Sequence, residues 1–149
     1  MLITVTIGLS SCFKDMKVIY ADMQVEFQET VVRAPTAGKL YPLISVNNGV
    51  GVQTTRVNLV GPQRPTATEI KVSLDASNTT ALDGTHFKLG NNGTVTIPAN
   101  SSFGDLSIEI LKAPAQAGKT VNLVLKLDGN STDIKPSENY RYLGYAIKL

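Results

Sequence analysis

Apolar and polar residues alternate with a period of two along most of this chain. The clearest runs are residues 69–75, 93–98, 105–111 and 119–127. In the first, Ile70, Val72 and Leu74 fall on one face; in the third, Leu106, Ile108 and Ile110 do; in the last, Val121, Leu123, Leu125 and Leu127 do. Each run is bounded by Gly, Pro, Asn, Asp or Ser, the mark of strands with one buried and one wet face. Earlier in the chain, Met23, Val25 and Phe27 alternate cleanly, and the phase is lost around Gln28 to Thr30. Such a break predicts a bulge or a strand that changes sheets.

The intervening segments read as turns and further strands. Residues 34–38 form a turn, and 41–46 a short strand that Pro42 confines to a sheet edge or a strand start. Asn47, Asn48, Gly49 and Gly51 predict a hairpin. Residues 54–60 make another strand, ended by Pro62 and Pro65. Residues 140–149 close the chain as a tyrosine-rich strand. No stretch carries apolar residues at i, i+3, i+4 and i+7 over three turns, so no substantial helix is expected. The fold class is therefore all-β: an immunoglobulin-like antiparallel β-sandwich of about seven to nine strands.

A chain of 149 residues suits one domain with its own core. The net charge of +2, with the 14 basic residues scattered, forms no stripe for nucleic acid. One cysteine, Cys12, excludes an internal disulfide, and with the single His86 it is too few for a zinc site.

Residues 1–12 are uncharged and mostly apolar, too short to span a bilayer as a helix and of the size of a secretory signal core. Leu9-Ser10-Ser11-Cys12 resembles a bacterial lipobox, in which the chain is cut before a cysteine that is then acylated. Several acyl chains on one cysteine anchor durably where one does not. The alternative is a first strand through Thr4–Ile7 with Cys12 a buried small side chain. Four matching positions and the lack of any other cysteine favour the lipobox. No basic residue precedes Lys14, so the positive part of a signal would lie upstream of Met1. Residues 1–12 thus read as a lipoprotein signal ending at the lipidation site Cys12, 13–21 as a tether, and 22–149 as the sandwich. Phe13, in place of an aspartate after the cysteine, leans the address toward the outer membrane of the cell envelope.

From Glu69 to Leu127 the order of parts resembles a Calx-β-like immunoglobulin-type sandwich. Its marks here are Ala81-Leu-Asp-Gly-Thr-His-Phe87, then Gly93-Thr-Val-Thr-Ile97, then Leu106-Ser-Ile-Glu-Ile110. The layout is also similar to small surface lipoproteins of Bacteroidetes that carry domains of unknown function, some of them beside glycan-uptake systems. Physically, Asp83-Gly84 supplies a tight turn and Phe87 a core anchor, leaving His86 as a surface or turn histidine. Calcium, which Calx-β domains hold among clustered carboxylates, is not expected, because Asp75, Asp83, Asp105, Asp128 and Asp133 are isolated in sequence.

No nucleophile elbow or phosphate loop is present, and acidic pairs such as Glu26 with Glu29 carry no signal. No catalytic residue, metal or cofactor is assigned. The candidate ligand-binding residues are Tyr140, Tyr142 and Tyr145, the first two on one strand face and the third on the other. Tyrosines so placed cap a core and hydrogen-bond at its edge, or form a sugar-binding platform. The expected function is a non-catalytic envelope lipoprotein, anchored to the membrane through Cys12, that recognises a glycan or an envelope protein. The alternative is a purely structural module that presents a partner.

Overall fold

The alternating runs form two five-stranded sheets packed against each other, as the computed structural model of residues 22–149 describes. The signal, lipobox and tether read over 1–21, Cys12 included, lie outside the described residues. The order of elements is β1 (Met23–Phe27), α1 (Gln28–Val32), β2 (Leu43–Asn47), β3 (Gly51–Val60), β4 (Thr68–Leu74) and β5 (Phe87–Leu89). A 3-10 turn (Gly90–Gly93) then leads to β6 (Thr94–Ile97), β7 (Phe103–Ile110), β8 (Thr120–Gly129), β9 (Ile134–Pro136) and β10 (Tyr142–Lys148). One sheet runs β5-β7-β3-β1-β9 and the other β2-β10-β8-β4-β6.

The inward faces are those the periodicity marks. Val25, Phe27, Val57, Leu106 and Ile108 from the first sheet meet Ile70, Val95, Leu123, Leu125 and Leu143 from the second in one buried cluster. Each such side chain contributes about 1.5–3 kcal/mol of burial, so this cluster holds the sheets together.

The sandwich is as expected, with details that short runs conceal. There are ten strands because β5 and β9, of three residues each, are too short for alternation to show. Pairing is antiparallel except between β1 and β9 and between β2 and β10. Those two parallel pairs follow from a change of sheet: β1 lies in the first sheet and β2 in the second. The phase break at Gln28 is the hinge of that change, and it is the one-turn helix α1 rather than a bulge. Its polar residues are used: the Arg33 N–H donates to Glu29 O (3.1 Å), Arg33 and Glu29 pair through their side chains, and the buried Thr30 Oγ1 donates to Tyr142 O (2.8 Å).

The glycine-rich stretch after β2 is not the hairpin that the Asn-Gly signal predicts. β2 and β3 lie in different sheets, and Gly49 and Gly51, with φ of +71° and +83°, turn the chain from one sheet to the other. The Asn48 side chain braces this corner against Ala113, donating to its O (2.7 Å) and accepting from its N–H (2.9 Å).

The Ala81–Phe87 segment behaves as its residues predict, with Gly84 at φ +73° and Phe87 fully buried. His86 is a turn histidine but not a surface one. It is 8% exposed, and its Nδ1 accepts the Leu82 N–H (2.9 Å).

Candidate functional site

Strand β10 presents Leu143, Tyr145 and Ile147 to the core and Tyr142, Gly144 and Ala146 outward. The sequence-predicted tyrosines are therefore separated. Tyr145 is 2% exposed and packs in the core. Burial pushes its phenol up to about 12, the nearby Thr55 hydroxyl opposing that shift. It presents no face to a ligand. Tyr140 lies in the turn before the strand and is exposed, while Tyr142, half-buried, opens the outer face of β10. Tyr140 and Tyr142 border the same hollow.

A third tyrosine, Tyr41, which the sequence reading did not single out, completes the patch. The loop before β2 delivers it. Gly38 (φ +75°) closes a turn in which the Lys39 N–H donates to Thr36 O (2.8 Å), and Thr36 Oγ1 in turn accepts the Leu43 N–H (2.8 Å). The loop then lies along β10, where the Gly144 N–H donates to Pro42 O (3.0 Å). Gly144 makes room for this. A Cβ there would collide with Leu43 Cδ2 and come within 3.2 Å of Tyr41 Cε2. The Tyr41 and Tyr142 rings are 5.9 Å apart between centroids and tilted by 37°, a favourable aromatic geometry. Lys39 and Arg141 stand over the two rings, at 5.9 Å from Tyr41 and 5.1 Å from Tyr142.

Two hollows flank Tyr142. One, of about 300 Å³, is walled by Lys39, Leu40, Tyr41, Asp75 and Asn78. The other, of about 320 Å³, is walled by Pro35, Leu40, Glu138, Asn139, Tyr140 and Arg141. Leu40, 87% exposed, stands on the rim of both. Asp75 is held by its own turn, accepting from the Ser77 N–H (3.1 Å) and Asn78 Nδ2 (2.7 Å). The Tyr41 hydroxyl is buried without a hydrogen-bond partner. Burial first, and then the negative charge of Asp75, push its phenol above the ordinary value. The patch thus offers aromatic and aliphatic surface ringed by planar amide, carboxylate and guanidinium groups, as small-molecule sites do. It holds no nucleophile–base pair. A signal for Tyr41 existed in the sequence: a glycine turn, then a bulky Leu-Tyr-Pro immediately before a strand.

Three of the carboxylates read as isolated in sequence are paired separately in space. Arg56 Nε pairs with Asp105 (3.3 Å), Lys126 with Asp128 (3.2 Å) and Arg64 with Asp133. Asp133 also accepts from Asn130 Nδ2 and Thr132 Oγ1, both at 2.9 Å, which holds its carboxyl below the usual range. Among the described residues no three of His, Cys, Asp and Glu converge as metal ligands would. No helix among them is long and apolar enough to cross a membrane.

No protein-family model matches the chain, and no curated protein matches it. Solved structures share its fold. The apo form of the Calx CBD1 domain superposes with a TM-score of 0.60 at 16% identity, covering 86% of this chain and 99% of its own. EndoBT-3987 of Bacteroides thetaiotaomicron, solved with a Man5GlcNAc product, gives 0.55 at 18% identity over 83% of this chain. A candidate carbohydrate-binding protein from Bacteroides ovatus gives 0.50 at 14% identity over 85%. The chain spans 30% and 37% of the lengths of these last two proteins. A Calx-β-like sandwich is the fold these likenesses establish.

Proposed function

We propose that this protein is a non-catalytic binding module that recognises an extracellular glycan on the outer face of β10. The observation that carries the reading is the placement of Tyr142 between two hollows that share the exposed Leu40 and are ringed by Asn, Asp, Glu, Lys and Arg side chains. Sugar rings present apolar C–H faces and a rim of hydroxyls, which such a surface can stack and hydrogen-bond together. The reading is supported by the glycan product in one structural neighbour and the carbohydrate-binding description of another. The lipobox ending at Cys12 adds an anchor, which gives a lipoprotein of the cell envelope, on the outer membrane of a Bacteroidetes-type cell, serving a glycan-uptake assembly.

A glycan array tests the reading. The folded domain is expected to retain defined oligosaccharides, and Tyr142→Ala to reduce that binding at least about tenfold, the loss of one good stacking contact. Tyr140→Ala should reduce it less. Unchanged array binding in both variants would refute the site. Cys12→Ser should move the protein from the membrane to the soluble fraction; a variant that stays with the membrane refutes the anchor alone.

A second reading is a structural module that spaces or presents a partner. It is favoured by the small share of the two Bacteroides neighbours that this fold makes up. A fixed envelope protein that co-purifies with Tyr142→Ala as well as with the unaltered chain would favour it.

A further inference from the structure

Among the described residues, Leu40 and Tyr142 alone border both hollows of the tyrosine patch; every other wall residue belongs to one. The walls come from different parts of the fold. Asp75 and Asn78, after β4, close the first hollow, and the Asp75 N–H donates to Val124 O (2.9 Å), which sets that hollow over the second sheet. Residues 138–141, before β10, close the other. There Tyr140 O accepts the Phe27 N–H (3.0 Å), which sets this hollow at the end of the sandwich where β1 stops. The two make one groove of two chambers, with Leu40 and Tyr142 at its middle.

The chambers repeat one set of groups: a cation, a carboxylate and a primary amide. Lys39, Asp75 and Asn78 supply it in the first, Arg141, Glu138 and Asn139 in the second. Each chamber also has a tyrosine of its own, Tyr41 or Tyr140, beside the shared Tyr142. Neither cation is spent on its acid. Lys39 and Arg141 stand over tyrosine rings, and neither enters an ion pair among the described residues. Donors and acceptors are therefore both present in each chamber, with one positive and one negative charge and no net preference for a charged guest. At about 300 and 320 Å³, each chamber is at the lower limit of small-molecule sites, about 300–1,000 Å³. One sugar ring fills one chamber, and only a longer ligand reaches the other.

A wall that repeats its chemistry suits a ligand that repeats its own. Resting on the glycan reading of this patch, we propose that the ligand is a neutral oligosaccharide with one unit in each chamber and the linkage between them at Leu40 and Tyr142. The linkage then covers Leu40, which is otherwise 87% exposed. Two weak contacts joined in one ligand bind as a single event, so affinity should rise steeply from one unit to two and level off at three.

The test is an NMR titration of the full chain, read at the side-chain amides of Asn78 and Asn139, one in each chamber. The probes are glucose, mannose and xylose with their di- and trisaccharides, and digalacturonate as an acidic counterpart. In at least one neutral series the disaccharide is expected to shift both amides with one dissociation constant, at least about tenfold below that of its monosaccharide. The trisaccharide should gain less than about threefold more. Lys39→Ala, in the first chamber, should weaken the disaccharide severalfold as read at Asn139 in the second, and Glu138→Ala should do the same at Asn78. A disaccharide no tighter than its monosaccharide, shifts at one amide only, a third unit that adds as much as the second, or tighter binding of digalacturonate would overturn the two-chamber inference and leave the glycan reading standing. No saturable shift with any probe overturns the inference as well; a blank glycan array overturns the reading beneath it.

Discussion

On the outer face of the sheet that holds β3 and β7, side chains satisfy one another across the strands and remain in water. Arg56 lies 3.8 Å over the Phe103 ring and pairs with Asp105, and Asn58 Nδ2 donates to Gln28 Oε1 (2.6 Å). On the outer face of the other sheet, Tyr41 and Val124 are 6% and 1% exposed, yet neither belongs to the central cluster. A second, smaller packing layer has formed there, made by the loop before β2 closing over Gly144. The first face is a solvated surface. The second is a built one, with hollows at its margin. The difference shows that alternation alone decides which side of a strand meets the core. What happens to the other side depends on which loops return to it.

Three measurements would break or sharpen that contrast. The largest effect is expected from Tyr41→Ala, which removes an aromatic from the outer layer and should cost about 3 kcal/mol in denaturant unfolding. Phe103→Ala, 40% exposed on the other sheet, should cost under about 1 kcal/mol. Equal costs would mean that the outer layer is no layer at all. Tyr41→Phe should be neutral or slightly stabilising, because the lost hydroxyl is buried and unpaired.

Next comes Gly144→Val, expected to cost about 2 kcal/mol through overpacking against Leu43 and Tyr41. On the opposite face Thr54→Val should change stability by less than about 0.5 kcal/mol. A well-tolerated Gly144→Val, with Tyr41 still buried by fluorescence quenching, would contradict the packing described.

The smallest effect is alkaline. The Tyr145 phenol is raised from the ordinary 10 to about 12. Below pH 10 folded and unfolded forms are both protonated, and the stability is fully present. Between pH 10 and 12 the unfolded chain ionises first, so stability falls, by an amount on the order of 2 kcal/mol when complete. Unfolding curves at pH 9 and 11 should show the decline, and Tyr145→Phe should lessen it. An unchanged slope in that variant would assign the decline elsewhere, Tyr41 being the other raised phenol among the described residues.

Most of the fold was legible because each long strand buries one face, and a period of two records that directly. The four central runs all became strands, and Pro42 did sit at the start of an edge strand. The misread parts are those in which local chemistry admits two outcomes. Asn47-Asn48-Gly49 satisfies a hairpin as well as a corner between sheets, and only the pairing of β2 with β10, about 100 residues away in sequence, decides. The one-turn α1 is too short to show a helical period. At the candidate site, Tyr140 and Tyr142 could be named because they are clustered in sequence. Tyr41, Asp75 and Asn78 could not, because they reach the patch from separate loops. Tyr145 was misplaced as a candidate for a simple reason: in an alternating strand one tyrosine of the group must face inward.

The parallel pairing of β2 with β10 has a mechanical consequence. Leu43 lies beside Gly144 and Asn47 beside Lys148, so the leading end of β2 and the trailing end of β10 are at opposite ends of the pair. Tension applied between Leu43 and Lys148 would pull these strands past each other lengthwise. All the hydrogen bonds of the pair then share the load at once, whereas an antiparallel pair loaded at adjacent ends would open bond by bond. Loaded in that way, β2 and β10 would part in one shearing event, whose rate would govern the lifetime of the pair under force.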